Sequence, residues 1–135
     1  MIDINNIMID DIFYHKELEK PIRIDYVDSH MNEIGFSYEM VTEPDDNIVP
    51  IEITEGLLEM NGFDATIPYA IFGLGEGKFI EYYYHENRLT IYWEGIDEWE
   101  NHSKAREVIF RCTCKYLHEL QHAFKFAGIE HKWEI

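Results

Sequence analysis

One amphipathic segment near the end of the chain constrains the fold more than any other feature. Between residues 115 and 127 the apolar side chains recur at the i, i+3, i+4, i+7 spacing of a helix with one buried face: Tyr116, Leu117, Leu120, Ala123, Phe124 and Ala127. Thr113 is a candidate N-cap, and Gly128 stands where a helix commonly ends. The pattern predicts a helix near residues 114–127 that packs over a sheet.

The same segment contains a His-Glu-x-x-His motif, formed by His118, Glu119 and His122. Two histidines one helical turn apart can bind a single zinc ion, and the intervening glutamate can act as general base on a metal-bound water. A zinc peptidase needs a third ligand, yet Glu130 and His131 come only after the predicted helix end. The motif therefore gives the alternative interpretation, a minimal zinc hydrolase.

The helical projection favours a different interpretation of this motif. At about 100° per residue, His118 and His122 lie roughly 160° away from Leu120, at the centre of the apolar stripe. This position predicts that both imidazoles face solvent. We therefore expect a protein without catalytic residues, metal ligands or a cofactor, and zinc at these two histidines is the alternative.

The composition restricts the class of protein. The chain has 135 residues, of which 46% are apolar and 15% aromatic, enough to form one folded domain over residues 1–135. The formal net charge of −16 argues against direct binding to nucleic acid or to anionic membranes. It leaves a basic protein partner open.

Cysteine use indicates a reducing compartment. Cys112 and Cys114 are two positions apart, a spacing that does not suit an ordinary disulfide within one strand. Because the N-terminus does not resemble a signal peptide, we expect reduced thiols in a cytoplasmic protein. The two cysteines could also join His118 and His122 as zinc ligands, but the three residues between Cys114 and His118 are too few for a zinc-finger knuckle.

The rest of the sequence predicts mainly β-strands. Residues 22–26 alternate, with Ile22, Ile24 and Tyr26 on the face expected to be buried, and residues 31–41 predict a second strand. Thr54 should cap a short helix near 55–61 that ends at Gly62. Together these patterns predict an α+β fold with a curved, mainly antiparallel sheet, barrel-like in its N-terminal half.

Residues 78–84 and 88–94 predict a β-hairpin with its turn at 85–87. Aromatic side chains fall on both faces of this hairpin: Phe79, Tyr82, Tyr83, Tyr84, Tyr92 and Trp93. One set should belong to the core. The other set either packs as well or forms an exposed patch that binds a protein.

Two segments, IVPIEITEGLLEMNGF and CKYLHELQHAFKFAGIE, resemble short uncharacterised proteins of Bacteroides-type bacteria and their phages or mobile elements. The matching positions are Ile51, Thr54, Leu57, Leu58, Asn61, Gly62 and Phe63, then Lys115, Tyr116, His118, Glu119, Leu120 and Gln121. The resemblance implies a cytosolic protein of bacterial or phage origin. In the family's pattern the second histidine, His122 here, is not a fixed position, and the resemblance supplies no enzymatic role.

We therefore expect a small acidic interaction or regulatory module rather than an enzyme. A second alternative to the zinc hydrolase is a nucleic-acid mimic, whose carboxylates occupy the basic groove of a partner. The candidate carboxylates for such a mimic are Asp45, Asp46, Glu94, Asp97, Glu98 and Glu100.

Overall fold

The computed structural model describes residues 2–37, 40–96 and 104–135. Within these ranges the strands are β1 (Ile12–His15), β2 (Lys20–Asp28), β3 (Glu33–Phe36), β4 (Met40–Thr42), β5 (Ile48–Val49), β6 (Asp64–Thr66), β7 (Tyr69–Gly75), β8 (Lys78–Tyr83), β9 (Arg88–Ile96) and β10 (Lys104–Thr113). The α-helices are α1 (Pro44–Asn47), α2 (Glu55–Met60) and α3 (Leu117–Phe126). All strand pairings are antiparallel, which confirms the predicted α+β class.

The chain divides into two compact units. The first unit comprises Met1–Glu52 and Tyr116–Ile129, and the second comprises Ile53–Lys115 and Glu130–Ile135. The predicted single domain over residues 1–135 stays a prediction, because two compact units can belong to one domain or to two.

The first unit contains a five-stranded sheet in the order β4-β3-β2-β1-β5. The strands at its two ends, β4 and β5, do not pair with each other within the described ranges, so this sheet is open rather than a closed barrel. One face carries the core, built mostly of isoleucine and phenylalanine side chains: Ile2, Ile4, Ile7, Phe13, Ile22, Ile24, Ile34, Phe36 and Ile48. Burial of these side chains is the main force that holds the unit together.

A β-bulge changes the face on which the end of β2 lies. The pairing of β2 with β3 shifts register between Ile24 and Tyr26. Before the bulge Ile22 and Ile24 are buried as predicted, but after it Val27 packs against the core and Tyr26 is 46% exposed. The prediction that Tyr26 shares the buried face is therefore wrong, because the bulge adds one residue to the alternation.

The predicted strand over residues 31–41 is a hairpin instead. Strand β3 ends at Phe36, and Ser37 takes a positive φ of 51°, which ends the extended run. Strand β4 then returns antiparallel to β3, with Val41 opposite Gly35. Tyr38, which the predicted strand also included, lies outside the described residues.

The second unit contains a sheet in the order β10-β9-β8-β7-β6 together with α2. The predicted hairpin is confirmed as β8 and β9, and α2 begins after Thr54, whose hydroxyl accepts the Leu57 N–H at 3.1 Å. Of the hairpin aromatics, Tyr82 and Tyr92 are buried while Trp93 is 40% exposed. Tyr82 shares its face with the buried Ile80 and Leu89, so this aromatic side chain belongs to the core as expected. Tyr92 lies on the opposite face, paired with Phe79.

Helix α3 starts three residues later than the sequence indicated. Thr113 is the last residue of β10 and is not the cap, because Tyr116 remains extended through a bridge to Glu52. The helix ends at Phe126, and Gly128 follows the C-cap with a φ of 74°, in the terminating position that the sequence predicted. The Gly128 N–H donates to Lys125 and the Ile129 N–H donates to Phe124, which together form a Schellman cap. None of the described helices is long and apolar enough to cross a membrane.

Candidate functional site

The face of α3 that carries the motif is largely buried in the structure. His118 is 8% exposed and Gln121 is 2% exposed, whereas the side chain of His122 is 27% exposed. The prediction that both histidines face solvent is therefore wrong for His118, and His122 reaches solvent with only part of its ring.

Part of this face of α3 is a polar strip, formed by Gln121, His122 and Lys125, that contacts another segment of the first unit. The strip binds residues 8–12, which lead into β1. Gln121 donates from Nε2 to the carbonyl of Asp10 at 2.9 Å and accepts the Ile12 N–H on Oε1 at 2.9 Å. Lys125 donates to the carbonyl of Ile9. The helix therefore docks onto residues 8–12 through hydrogen bonds to backbone groups rather than through apolar contact alone.

The periodicity of the sequence could not show this contact. A helical projection separates apolar from polar residues, and it assigns polar residues to solvent by default. Buried polar side chains are stable when their hydrogen bonds are made, and the strip makes them with a segment more than 100 residues away in the chain, as with Gln121 and Ile12.

Asp11 is the partner of His122 in this contact. Its carboxylate is 0% exposed, and Oδ2 lies 2.6 Å from Nε2 of His122 and accepts the Met8 N–H at 2.8 Å. The other oxygen, Oδ1, is buried and has no hydrogen-bond partner among the described atoms. The short contact to the imidazole compensates part of the cost of burying this carboxylate.

His118 lies in a largely apolar environment next to this pair. Its ring centroid is 4.8 Å from that of Phe13 and 5.7 Å from that of His122, and its Nδ1 is buried without a partner among the described atoms. Burial is the main cause that lowers the pKa of His118 below its ordinary value of 6.5. The negative charge of Asp11 opposes this shift, and that of Glu119 opposes it more weakly. The neighbouring His122 lowers the pKa further. The neutral imidazole is the form that this environment favours.

Glu119 has a structural contact at the start of the helix. One of its carboxylate oxygens accepts the N–H of Tyr116, the N-cap residue, at 3.0 Å. An acidic side chain in this first turn also interacts favourably with the helix dipole. The residue proposed as a general base thus stabilises the N-terminus of α3 in this geometry.

The donor types at the motif are those that zinc accepts, because two imidazoles and the Asp11 carboxylate are all zinc ligands in other proteins. Their arrangement does not fit an ion well. Nε2 of His122 is hydrogen-bonded to Asp11, and no three His, Cys, Asp or Glu side chains in the described ranges converge to hold a metal. Zinc held by His118 and His122, with Glu119 as base, stays a prediction.

A second candidate site is an open groove on the outer face of the first sheet. Gly35 lies between Tyr26 and Val41 in the register of β2, β3 and β4, so the three residues form one row across the sheet. A Cβ atom at Gly35 would lie 2.8 Å from Cβ of Tyr26. Glycine therefore forms the floor, with Tyr26 and Val41 as walls.

The groove has a volume of about 520 Å³ and combines apolar walls with acidic groups; its lining residues are Asp25, Tyr26, Glu33, Gly35, Met40 and Val41. Val41 is 54% exposed, as expected for a residue on a strand at the end of the sheet. Tyr26 donates its hydroxyl to Asp28, two residues further along β2, at 3.0 Å, and this hydrogen bond orients the phenol ring.

Sequence reasoning missed this groove, because it placed Tyr26 on the buried face and Val41 in one long strand. The signal that was available is Gly35 in the middle of an otherwise regular strand pattern, since an isolated glycine in a strand often marks a close approach or a bulge. That signal locates an irregularity but does not indicate an exposed groove.

Most of the carboxylates expected for a nucleic-acid mimic lie outside the part of the chain whose side chains the structure describes. Asp97, Glu98 and Glu100 lie outside the described residues, and Asp45 and Asp46 lie in α1, of which only the backbone is described at these two positions. Glu94 lies on β9 with a carboxylate oxygen 3.8 Å from Arg106. A mimic remains a prediction for those carboxylates.

Asn61, which belongs to the segment of family resemblance, has a structural role in the second unit. Its amide group donates to the carbonyls of Leu57 at 2.9 Å and Glu134 at 3.0 Å, and its Oδ1 accepts the Glu134 N–H at 2.8 Å. Asn61 thus ties the end of α2 to the C-terminal tail. Gly62 follows with a φ of 90°, a conformation that favours glycine.

Comparison of the chain with protein-family models, with curated proteins and with solved structures gave no match. The resemblance to Bacteroides-type bacterial and phage proteins therefore stays a prediction, and the function has to be argued from the geometry of this chain.

Proposed function

We propose that the protein is a cytosolic protein-binding module of bacterial or phage origin, whose groove takes a basic side chain from an extended segment of a partner protein. The observation that supports this proposal most directly is the groove between Tyr26 and Val41, where exposed apolar walls, a glycine floor and carboxylates occur together.

The shape of the groove suits a long, unbranched basic side chain. The alkyl chain of a lysine or arginine can lie over Gly35, between the Tyr26 ring and Val41, because basic side chains commonly bury their methylene groups and leave the charge at the rim. A cation close to the face of Tyr26 would also gain about 0.5–1 kcal/mol at an exposed site. An acidic side chain of similar length would gain neither interaction.

Charge complementarity selects a basic partner. Asp25 and Glu33 contribute carboxylates to the groove, and the chain as a whole has a net charge of −16. A field of this sign attracts a basic segment and speeds its approach, and it repels acidic competitors. Because both carboxylates are near the surface, the attraction should weaken as salt is added.

The strand beside the groove offers a second mode of contact. In the described part of the chain β4 pairs only with β3, so its other edge presents backbone N–H and C=O groups. An extended segment can add to such an edge, its backbone supplying affinity and its alternate side chains reaching a neighbouring pocket. A partner with basic residues at alternate positions would use both the edge and the groove.

The test uses a fluorescein-labelled synthetic peptide that alternates valine with arginine, and a second peptide with glutamate in place of arginine. We expect saturable binding of the arginine peptide, measured by fluorescence anisotropy, that weakens with salt and is at least about tenfold weaker for Asp25→Asn combined with Glu33→Gln. The glutamate peptide should not bind.

The matched control removes two exposed carboxylates elsewhere, by Glu17→Gln combined with Glu107→Gln. Both double variants have the same net charge. If only the variant at Asp25 and Glu33 loses affinity, the peptide binds at the groove and is not held merely by the overall negative charge of the protein. Equal losses in the two variants, binding of the glutamate peptide, or no saturable binding of the arginine peptide would refute the proposal.

A further inference from the structure

The two cysteines of the chain lie close enough to react with each other. The sulfur atoms of Cys112 and Cys114 are 3.5 Å apart. Cys112 is partly exposed, whereas Cys114 is 1% exposed. The sequence predicted two thiols without a disulfide between them, and the structure adds that the pair is in sulfur–sulfur contact with one member within reach of solvent.

The backbone between them is compatible with a disulfide. Two residues of extended strand span about 6.6 Å between Cα atoms, which is at the upper end of the range found for disulfides, about 4.4–6.8 Å. Strand β10 ends at Thr113, so Cys114 already lies beyond the strand. The objection that both cysteines belong to one strand therefore does not apply, and side-chain rotation can supply most of the remaining approach.

Cys114 is held in place for this contact by its backbone. Its N–H donates to the carbonyl of Asn87 at 2.7 Å, and its carbonyl accepts the hydroxyl of Tyr82 at 2.7 Å. Both partners belong to the β8–β9 hairpin of the second unit. The buried sulfur thus has a defined position, and the exposed sulfur of Cys112 can come to it.

We propose that Cys112 and Cys114 form a reversible dithiol–disulfide site that reacts with low-molecular-weight disulfides such as glutathione disulfide. The Cys112 thiol loses its proton to water, and the thiolate attacks one sulfur of the small disulfide, which releases one small thiolate and leaves a mixed disulfide on Cys112. Cys114 then loses its proton and attacks the Cys112 sulfur, which releases the second small thiolate.

The sum of these steps balances. The protein loses two thiol protons and two electrons and gains one sulfur–sulfur bond, and the small disulfide is reduced to two thiols. Exposure determines the order of attack, because Cys112 meets the small disulfide and Cys114 resolves the mixed disulfide from the protein interior. Excess small thiol reverses both steps.

The experiment incubates the folded full-length protein with glutathione disulfide, blocks remaining thiols with an alkylating reagent and measures the intact mass. We expect a main product lighter than the starting protein by two hydrogen atoms, which accepts no alkyl group and returns to the dithiol with excess reduced glutathione. Peptide mapping should place the new bond between Cys112 and Cys114.

Two single variants test the order of the steps. Cys114→Ser should accumulate a glutathione adduct on Cys112, and Cys112→Ser should react roughly tenfold more slowly, because Cys114 is buried. A lasting glutathione adduct on the wild-type protein, a disulfide between two protein molecules, or no reaction with glutathione disulfide would overturn the proposal. The wild-type result stands by itself if either variant fails to fold.

Discussion

Gln121 shows how a single polar side chain can hold two distant parts of a chain together. Its amide satisfies one backbone donor, the Ile12 N–H, and one backbone acceptor, the Asp10 carbonyl. Gln121 belongs to the segment of family resemblance, and this contact gives a physical reason for glutamine there. Glutamate would lack the amide donor, and an apolar residue would leave both backbone groups without their partner.

We predict that Gln121→Ala lowers the free energy of unfolding by about 2–4 kcal/mol, because each buried backbone group that loses its partner costs about 1–3 kcal/mol. Urea denaturation measures this change. The control is Phe126→Ala on the same helix, at a residue that is 82% exposed, and it should change the stability by about 0.5 kcal/mol or less. Equal effects of the two substitutions would contradict the docking role of Gln121.

His118 should make the stability depend on pH in a defined direction. Because burial lowers its pKa in the folded protein, the unfolded chain takes up the proton first as the pH falls below 6.5. Stability from this residue is therefore complete above that pH and is lost as the pH falls toward the lowered folded pKa. The charged and titratable groups that interact with the ring are Asp11, His122 and Glu119.

The measurement compares the free energy of unfolding of the wild type and His118→Leu between about pH 7.5 and about pH 5.5. The wild type should lose more stability across this interval than the variant, since leucine has no proton to gain. The difference between the two slopes isolates His118 from the other titrating groups. Identical slopes would show that the folded protein does not depress the pKa of His118.

The elements were predictable to different degrees, and the reasons are physical. Helix α2 follows from local signals, because the Thr54 cap and Gly62 act within one or two turns of the chain. The bulge in β2 does not, since it depends on how β2 pairs with β3. One inserted residue reverses the alternation, and it turned Tyr26 from a predicted core residue into a wall of the groove.

At the end of α2, Asn61 should control the order of the C-terminal tail. We predict that Asn61→Ala speeds hydrogen exchange at the Glu134 amide, which donates to Asn61 Oδ1 at 2.8 Å. The amides that pair β8 with β9 should keep their protection, because their hydrogen bonds do not involve Asn61.

Exchange measured by nuclear magnetic resonance or mass spectrometry reports both regions at once. The control is Glu59→Ala, an exposed position on the same helix, which should leave the exchange of Glu134 unchanged. If Asn61→Ala leaves the protection of Glu134 intact, another contact holds the tail.

At the scale of the whole molecule, the net charge of −16 should reduce stability through self-repulsion. Added sodium chloride screens this repulsion, so we expect Tm at pH 7 to rise by about 3–5 °C between low and high salt. The rise should largely disappear near pH 4.6, the isoelectric point of the chain, where the net charge is close to zero. A salt effect of equal size at both pH values would indicate a cause other than net charge.

The sequence was sufficient for the fold class but not for the candidate site. Apolar periodicity and turn residues act locally, and they predicted α3, α2, the β8–β9 hairpin and the antiparallel character of the sheets. Contacts between distant segments decided the rest, including the burial of His118 and the groove between Tyr26 and Val41. Those contacts depend on strand register and on where the helix docks, and the spacing of apolar residues along the sequence predicts neither.

The most direct measurement of the proposed function maps amide chemical shifts of the isotope-labelled protein during titration with the valine–arginine peptide. The account predicts that the largest shifts occur at Tyr26, Gly35 and Val41, and that their size follows one saturation curve. Shifts that instead concentrate in the second unit, or that leave these three amides unchanged, would contradict the claim that this groove is the binding site.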